Sequence, residues 1–435
     1  MKKSNLAKFL CILIVLCLIL VGCGDTTSEV SSGDIKVTDS VIDNRNQPKD
    51  QESKETQAAP ISVTDEDFTV TEYLYEDSWS SMCFLVVTNN STAAVSISAN
   101  GIAKDSSGGM VGADDLSFDI LGPGETSMSY FYFSDVKGVA SVDYTLSYDT
   151  HPYYYPVLTN LSVEKTLNNN NVVVQAKNTG NTCAEFVEAH ALFFDASNNV
   201  IGHTSSYLVD HESQIKPGNS LATQLDSYKE YDHVEVYLTG RSTGDTYNAE
   251  ASNLLSNDQF EIAEHIYEDS YSTHYYIIMK SNVDVPVSVL ANAIARDSNG
   301  AAIGADSMEI DVLGSGETSI GYFYFSDVKN VASVEYQLFY NTDPYYTPVI
   351  EDLAVEYTLN SNNVIVAVTN NGTTPAQFVQ AYALFFDAQN NLVCTANSYV
   401  VDDDSEIKPG KMLVEQLDTY KNYDHCEVYL TGRAD

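Results

Sequence analysis

Most of the chain is written in short apolar–polar alternations with a period of two. Tyr130-Phe131-Tyr132-Phe133 and Asn171-Val172-Val173-Val174-Gln175-Ala176 are typical: β-branched or aromatic, and bounded by Asn, Asp, Gly and Pro. Side chains alternate across a strand, so Phe131 and Phe133 are expected in a core and Tyr130 and Tyr132 on the opposite, half-exposed face. Turn residues recur every 8–12 positions, the spacing of an all-β sandwich. Two stretches break the pattern. Phe9–Val21 is continuously apolar but only about 13 residues long, too short for ~30 Å of hydrocarbon. Residues 24–62 are polar and lack aromatics, so they read as a tether that cannot bury enough surface to order itself.

The alternation itself repeats. Tyr130–Lys137 returns as Tyr322–Lys329, Ile215-Lys216-Pro217-Gly218 as Ile407-Lys408-Pro409-Gly410, and Glu235–Arg241 as Glu427–Arg433, always 192 residues later. Each copy also looks duplicated within itself. An Asn-rich turn, an acidic turn, a Pro-Gly turn and a Tyr-Leu strand come in the same order in both halves. The expected organisation is a leader over 1–22, a tether over 23–62, β-sandwich modules over 63–150 and 157–241, a linker over 242–257, and modules over 258–342 and 349–435.

Lys2, Lys3 and Lys8 precede the apolar run, which ends in Leu20-Val21-Gly22-Cys23. A basic flank and a short apolar core form a secretory signal. The ending resembles the lipobox of bacterial lipoproteins, which implies cleavage before Cys23, lipidation of its thiol and a place on the outer face of a cell membrane. In the second half of each copy, Ala191–Gly202 with Ile215–Gly218, and Ala383–Val393 with Ile407–Gly410, resemble the FxLYD-type domain of Gram-positive lipoproteins. Ala191 and Ala383 depart from the motif's first aromatic. The resemblance implies immunoglobulin-like sandwiches in tandem and carries no catalytic residues.

Charge narrows the possible partners. Without the leader, 18 basic residues face 61 acidic ones; such a surface repels nucleic acid and anionic headgroups. The four remaining cysteines, Cys83, Cys183, Cys394 and Cys426, do not recur between copies, so no module-defining disulfide is expected. Cys394 and Cys426 share a module, and both a bridge and free buried thiols remain open.

The most distinctive segments are His151-Pro152-Tyr153-Tyr154-Tyr155-Pro156 and Asp343-Pro344-Tyr345-Tyr346-Thr347-Pro348, each between two modules. They read either as stiff connectors whose rings seal a module interface, or as aromatic platforms for a sugar or peptide built on Tyr153, Tyr154, Tyr345 and Tyr346. Asp402-Asp403-Asp404-Ser405-Glu406 is acidic enough for calcium, but its first-copy counterpart contains His211 and no calcium-loop spacing appears; a solvated turn is expected. His233 and His425 lack metal-ligand partners. Gly240-Arg241-Ser242-Thr243-Gly244 matches a nucleophile-elbow string without the required strand–turn–helix, and its repeat lacks the Ser. The expectation is therefore no enzyme, cofactor or metal. The chain reads as a lipid-anchored binding or scaffolding protein for an envelope or protein partner; a carbohydrate-binding lipoprotein and a plain spacer are the alternatives.

Overall fold

The computed structural model describes residues 62–247 and 255–435. The leader, Cys23 and most of the tether lie outside the described residues, as does the middle of the 242–257 linker.

The first copy contains β1 (Phe68–Glu76), β2 (Ser81–Asn89), β3 (Val95–Lys104), β4 (Met110–Leu121), β5 (Thr126–Phe133) and β6 (Ser141–Asp149), then β7 (Leu161–Leu167), β8 (Asn171–Asn178), β9 (Ala184–Phe194), β10 (Val200–Tyr207), β11 (Gln214–Ile215), β12 (Ser220–Asp226) and β13 (His233–Arg241). Every strand of the second copy, from Phe260–Glu268 to His425–Arg433, starts and stops 192 residues later. The first six strands pair antiparallel as β1-β2-β5 and β4-β3-β6. The next seven repeat that order as β7-β8-β12 and β10-β9-β13, with short β11 added beside β9. These are two-layer, immunoglobulin-like sandwiches.

Four cores result, one per sandwich. Phe131 and Phe133 are fully buried, whereas Tyr132 is exposed, as the alternation requires. Buried Asn89, Asn178 and Asn370 play one role in three sandwiches. Each side-chain amide donates to one loop carbonyl and one at a strand's end, for example Asn178 to Thr182 and Ile215 at 2.8 Å. That satisfies backbone groups where chain segments cross the core's end.

The sandwiches are not beads on a string. In β2, Cys83, Leu85 and Val87 face the first core, yet Phe84 and Val86 on the opposite face are buried too. They meet Leu192, Phe194 and Val200 of β9 and β10. The second copy builds the same junction from Tyr276, Ile278, Ile320, Tyr382, Leu384 and Phe386. A strand buried on both faces reads as a continuous apolar run, which is the pattern of Cys83–Val87 and Ala191–Phe194.

The two copies also meet. The outer face of the sheet formed by Val287–Arg296, Ala302–Leu313 and Ser333–Asn341 lies on β12 and β8 of the first copy. Val173, Ala222, Ile294, Ala302 and Ala305 form its apolar centre. Asn292 grips the backbone of Ala222 twice, accepting its N–H at 2.8 Å and donating to its carbonyl at 2.7 Å.

One expectation needs adjusting and one open alternative closes. Residues 242–247 continue the second sandwich: Ser242 bridges Tyr155, Thr246 bridges Thr182, and Tyr247 N–H donates to Asn181. Cys394 and Cys426 cannot pair. Both sit opposite Phe385, on either side of its strand; two inter-strand spacings put them about 10 Å apart, beyond disulfide reach. All four described cysteines are free, and burial pushes Cys83 and Cys426 up to about 12 and Cys183 up to about 11.

Candidate functional site

The connector between the sandwiches of one copy is held rigidly. Buried Glu125, after the Leu121-Gly122-Pro123-Gly124 turn, accepts Gly122 N–H at 2.7 Å and Thr159 N–H at 3.1 Å. It thereby ties the end of the first sandwich to the start of the second. Glu317 repeats this with Gly314 at 2.7 Å and Glu351 at 3.1 Å. A Cβ at position 122 would stand 2.6 Å from Pro156, so only glycine lets the connector lie this close.

Fixed in this way, the connector presents its Tyr pair to the end of β13. The Arg241 guanidinium lies 4.0 Å over the ring of Tyr154 and 4.7 Å from that of Phe186, and pairs with Asp119 of the neighbouring sandwich. In the second copy Arg433 lies 3.9 Å over Tyr346, 4.8 Å from Phe378, and pairs with Asp311. Each clasp thus joins a cation from one sandwich, an aromatic from the connector and a carboxylate from the other sandwich. Phe186 and Phe378 reach the cation because their backbone is left-handed, with φ of 50° and 49°. That region costs an L residue about 1–2 kcal/mol and is an outlier for a bulky side chain. Both lie at a β-bulge, where the ladder to β13 and its counterpart shifts register. The Nε atoms of Arg241 and Arg433 are buried without hydrogen-bond partners.

Each clasp borders a cleft between sandwiches, of about 360 Å³ in the first copy and about 400 Å³ in the second. The walls differ. Glu188 and His190 line the first, where the second has Gln380 and Tyr382 joined by a 2.8 Å hydrogen bond. His190 stacks on His203 with their ring nitrogens 3.3 Å apart. Burial holds His190 down at about 4. Burial, helped by the neighbouring His190, holds His203 at about 3. In the second cleft, burial raises the carboxyls of Asp306 and Glu309 above the usual range.

The four sequence-predicted tyrosines stand at the clasps, outside the cleft walls, in two roles. Tyr154 and Tyr346 are the inner leaves of the clasps. Tyr153 and Tyr345 meet them edge-on at 4.9 Å and stand 83% and 87% exposed. The apolar centre of the module interface is built elsewhere, by β2, β5, β9 and β10 with aliphatic, Met and Phe side chains in the first copy and with Tyr276 and Tyr382 among them in the second. Sequence reasoning missed Arg241, Phe186 and Asp119 with their counterparts. The available signal was their recurrence, Arg at the end of a repeated Glu-Val-Tyr-Leu-Thr-Gly-Arg string and Phe within Ala-x-Phe-Val.

The other candidates resolve as structure. Asp402, Asp404 and Glu406 converge, but the Lys408 ammonium sits among them at 3.3, 2.6 and 3.5 Å, supplying the positive charge within the turn. His233 and His425 stack on Phe194 and Phe386 at 4.7 and 5.1 Å. Ser242 is buried and accepts Gly244 N–H at 3.1 Å.

No protein-family model matches the chain, and no curated protein does. Among solved structures it is similar to Escherichia coli alpha-2-macroglobulin activated by porcine elastase, at 8% identity and a TM-score of 0.14, over 83% of this chain and 44% of that one. The chain spans less than half the length of that protein.

Proposed function

We propose that this chain is an extracytoplasmic lipoprotein, anchored through Cys23, that binds or scaffolds an envelope or protein partner without catalysis. The observation that supports this best is the twofold construction of one cleft: a strained Phe, a connector Tyr and an ion-paired Arg, built identically 192 residues apart. Backbone strain kept in two copies is a cost that packing alone does not require. Each clasp offers an exposed Tyr ring, an ion-paired Arg and a partly exposed carboxylate, a set that suits recognition. Two equivalent sites on one body favour a partner that repeats, because the second contact is then intramolecular.

Carbohydrate is the favoured ligand class within this reading, since the exposed rings of Tyr153 and Tyr345 adjoin Tyr154 and Tyr346, whose faces carry the Arg241 and Arg433 guanidinium groups. Glycan-array binding and pull-down from envelope extract test it with Tyr153→Ala and Tyr345→Ala combined. Loss of at least tenfold in glycan affinity supports the sugar reading. Retention of a protein partner with no glycan signal moves the site to protein scaffolding. Binding of either kind that ignores both Tyr changes and Arg241→Ala/Arg433→Ala sinks the cleft as the site. The anchor is tested separately, by radiolabelled-palmitate incorporation that disappears in Cys23→Ser.

A further inference from the structure

The two copies meet through unlike surfaces: a leading face on the second copy and a trailing face on the first. By the repeat, the first copy carries its own leading face and the second its own trailing face, and among the described residues both are uncovered. At the covered trailing face Val173 and Ala222 are 1% and 3% exposed; their counterparts Ile365 and Val414 are 37% and 53% exposed. At the covered leading face Ile294 and Ala302 are each 7% exposed; Ile102 and Met110, their counterparts, are 39% and 75% exposed. An outer face of a tandem array that meets only water is expected to be polar. Here the trailing end is more apolar than its covered counterpart, with Met412, Val414 and Ile365 replacing Ser220, Ala222 and Val173.

We infer that the uncovered trailing face docks on the leading face of a second copy of this chain, head to tail, through the Asn100 equivalent of the Asn292 clamp.

Three observations identify the occupant. First, the clamp is kept. Asn100 holds the position of Asn292 and is exposed. Val414 stands opposite Ala367 in the same ladder position as Ala222 opposite Gln175. Its strand, Met412–Asp418, is likewise an edge of its sheet. The Ala222 N–H and carbonyl that Asn292 grips point off that edge; those of Val414 point the same way. The clamp reads backbone, so Val for Ala does not alter it.

Second, bulk has moved from one face to the other. Leu290 and Phe339 pack from the leading face of the second copy into the first copy's second core; their counterparts are Ser98 and Ser147. Gln224 donates to Ser326 at 3.3 Å on one side of the clamp, which sets Ser220, two residues to the other side, toward Leu290 and Phe339. In a head-to-tail contact Met412 therefore fills the space that Ser98 and Ser147 leave. Met110, larger than Ala302, stands at the centre of the contact, where its flexible side chain repacks against Ile365 and Val414.

Third, an unpaired edge strand beside an apolar face is a surface that proteins usually protect; Gln416 and Asp418 lie farther along this strand face, and Met412 and Val414 stay exposed. A heterologous contact of this kind closes into a ring or runs on as a chain of molecules.

The test uses the full-length chain in detergent. Sedimentation velocity should show concentration-dependent association that strengthens as salt rises, because both partners are strongly acidic. Val414→Asp with Met412→Asp should weaken it at least tenfold, and Asn100→Ala roughly tenfold, with unchanged circular dichroism and melting. For geometry, Asn100→Cys and Val414→Cys chains are mixed with a short bismaleimide, using the unsubstituted chain for background. A dimer that needs both variants supports the inference. A dimer from Val414→Cys alone means tail-to-tail pairing and overturns it. So does a species that stays monomeric at about 200 μM in high salt, or capture of a different protein without self-association. None of these outcomes depends on the clefts binding any ligand.

Discussion

The two module junctions share a frame and differ in their polar content. Phe84 and Phe194 in the first copy correspond to Tyr276 and Phe386 in the second, all buried. Beside them the first copy places the stacked pair His190 and His203; the second has Tyr382 and Thr395, with Thr395 accepting from Tyr276 at 2.9 Å. The second junction therefore buries hydroxyls that are neutral at any physiological pH, with one imidazole held down by burial, His265, edge-on to Phe386 at 5.0 Å. The first buries two imidazoles that must stay neutral, and His190 Nε2 lies 3.5 Å from Glu188 without a hydrogen bond. Apolar faces fix how the sandwiches meet, and the polar residues among them decide under what conditions they stay together.

The largest expected effect tests the shared frame. Phe194→Ala and Phe386→Ala each empty a fully buried position and should cost about 3–5 kcal/mol, read by denaturant unfolding. Equal losses support equivalent junctions; a loss confined to one copy breaks the equivalence.

Acid sharpens the difference. The histidines are held below the unfolded value of about 6.5, so the folded state binds fewer protons. Their contribution is present above pH about 6.5 and is lost as pH falls toward about 4 and about 3. The first junction should weaken by a few kcal/mol across that window, and the second, which has only His265 held down against Phe386, by less. His190→Tyr with His203→Thr should remove the acid step, measured by thermal melts from pH 7 to 4. An unchanged step would place acid sensitivity elsewhere.

The smallest effect concerns the clasps. Arg241→Ala and Arg433→Ala each remove a cation over two rings and a partly exposed ion pair, worth about 1–2 kcal/mol together. Melting should shift slightly and equally. A large drop would make the clasp a structural rivet, and the binding reading would lose its main support.

Much of this molecule is legible in its alternations. Tyr130–Phe133 announces which rings are buried, because a strand has only two faces. The fixed 192-residue offset determines that whatever the first copy folds into, the second does too. Asn89 and Asn178 mark sheet crossings through turn chemistry alone. The candidate site was half-visible: Tyr153 and Tyr154 stand out between two prolines, but their roles do not.

What tertiary structure decided is which surfaces meet. Alternation says that Phe84 points away from Leu85; it cannot say that another sandwich covers it there, since burial on a second face is a property of docking. Arg241 and Asp119 are 122 residues apart, and nothing local to either predicts their encounter. Local periodicity sets the strands because backbone geometry is local. The clasps, the histidine pair and the uncovered ends arise from rigid sheets placed against one another, which only the folded chain specifies.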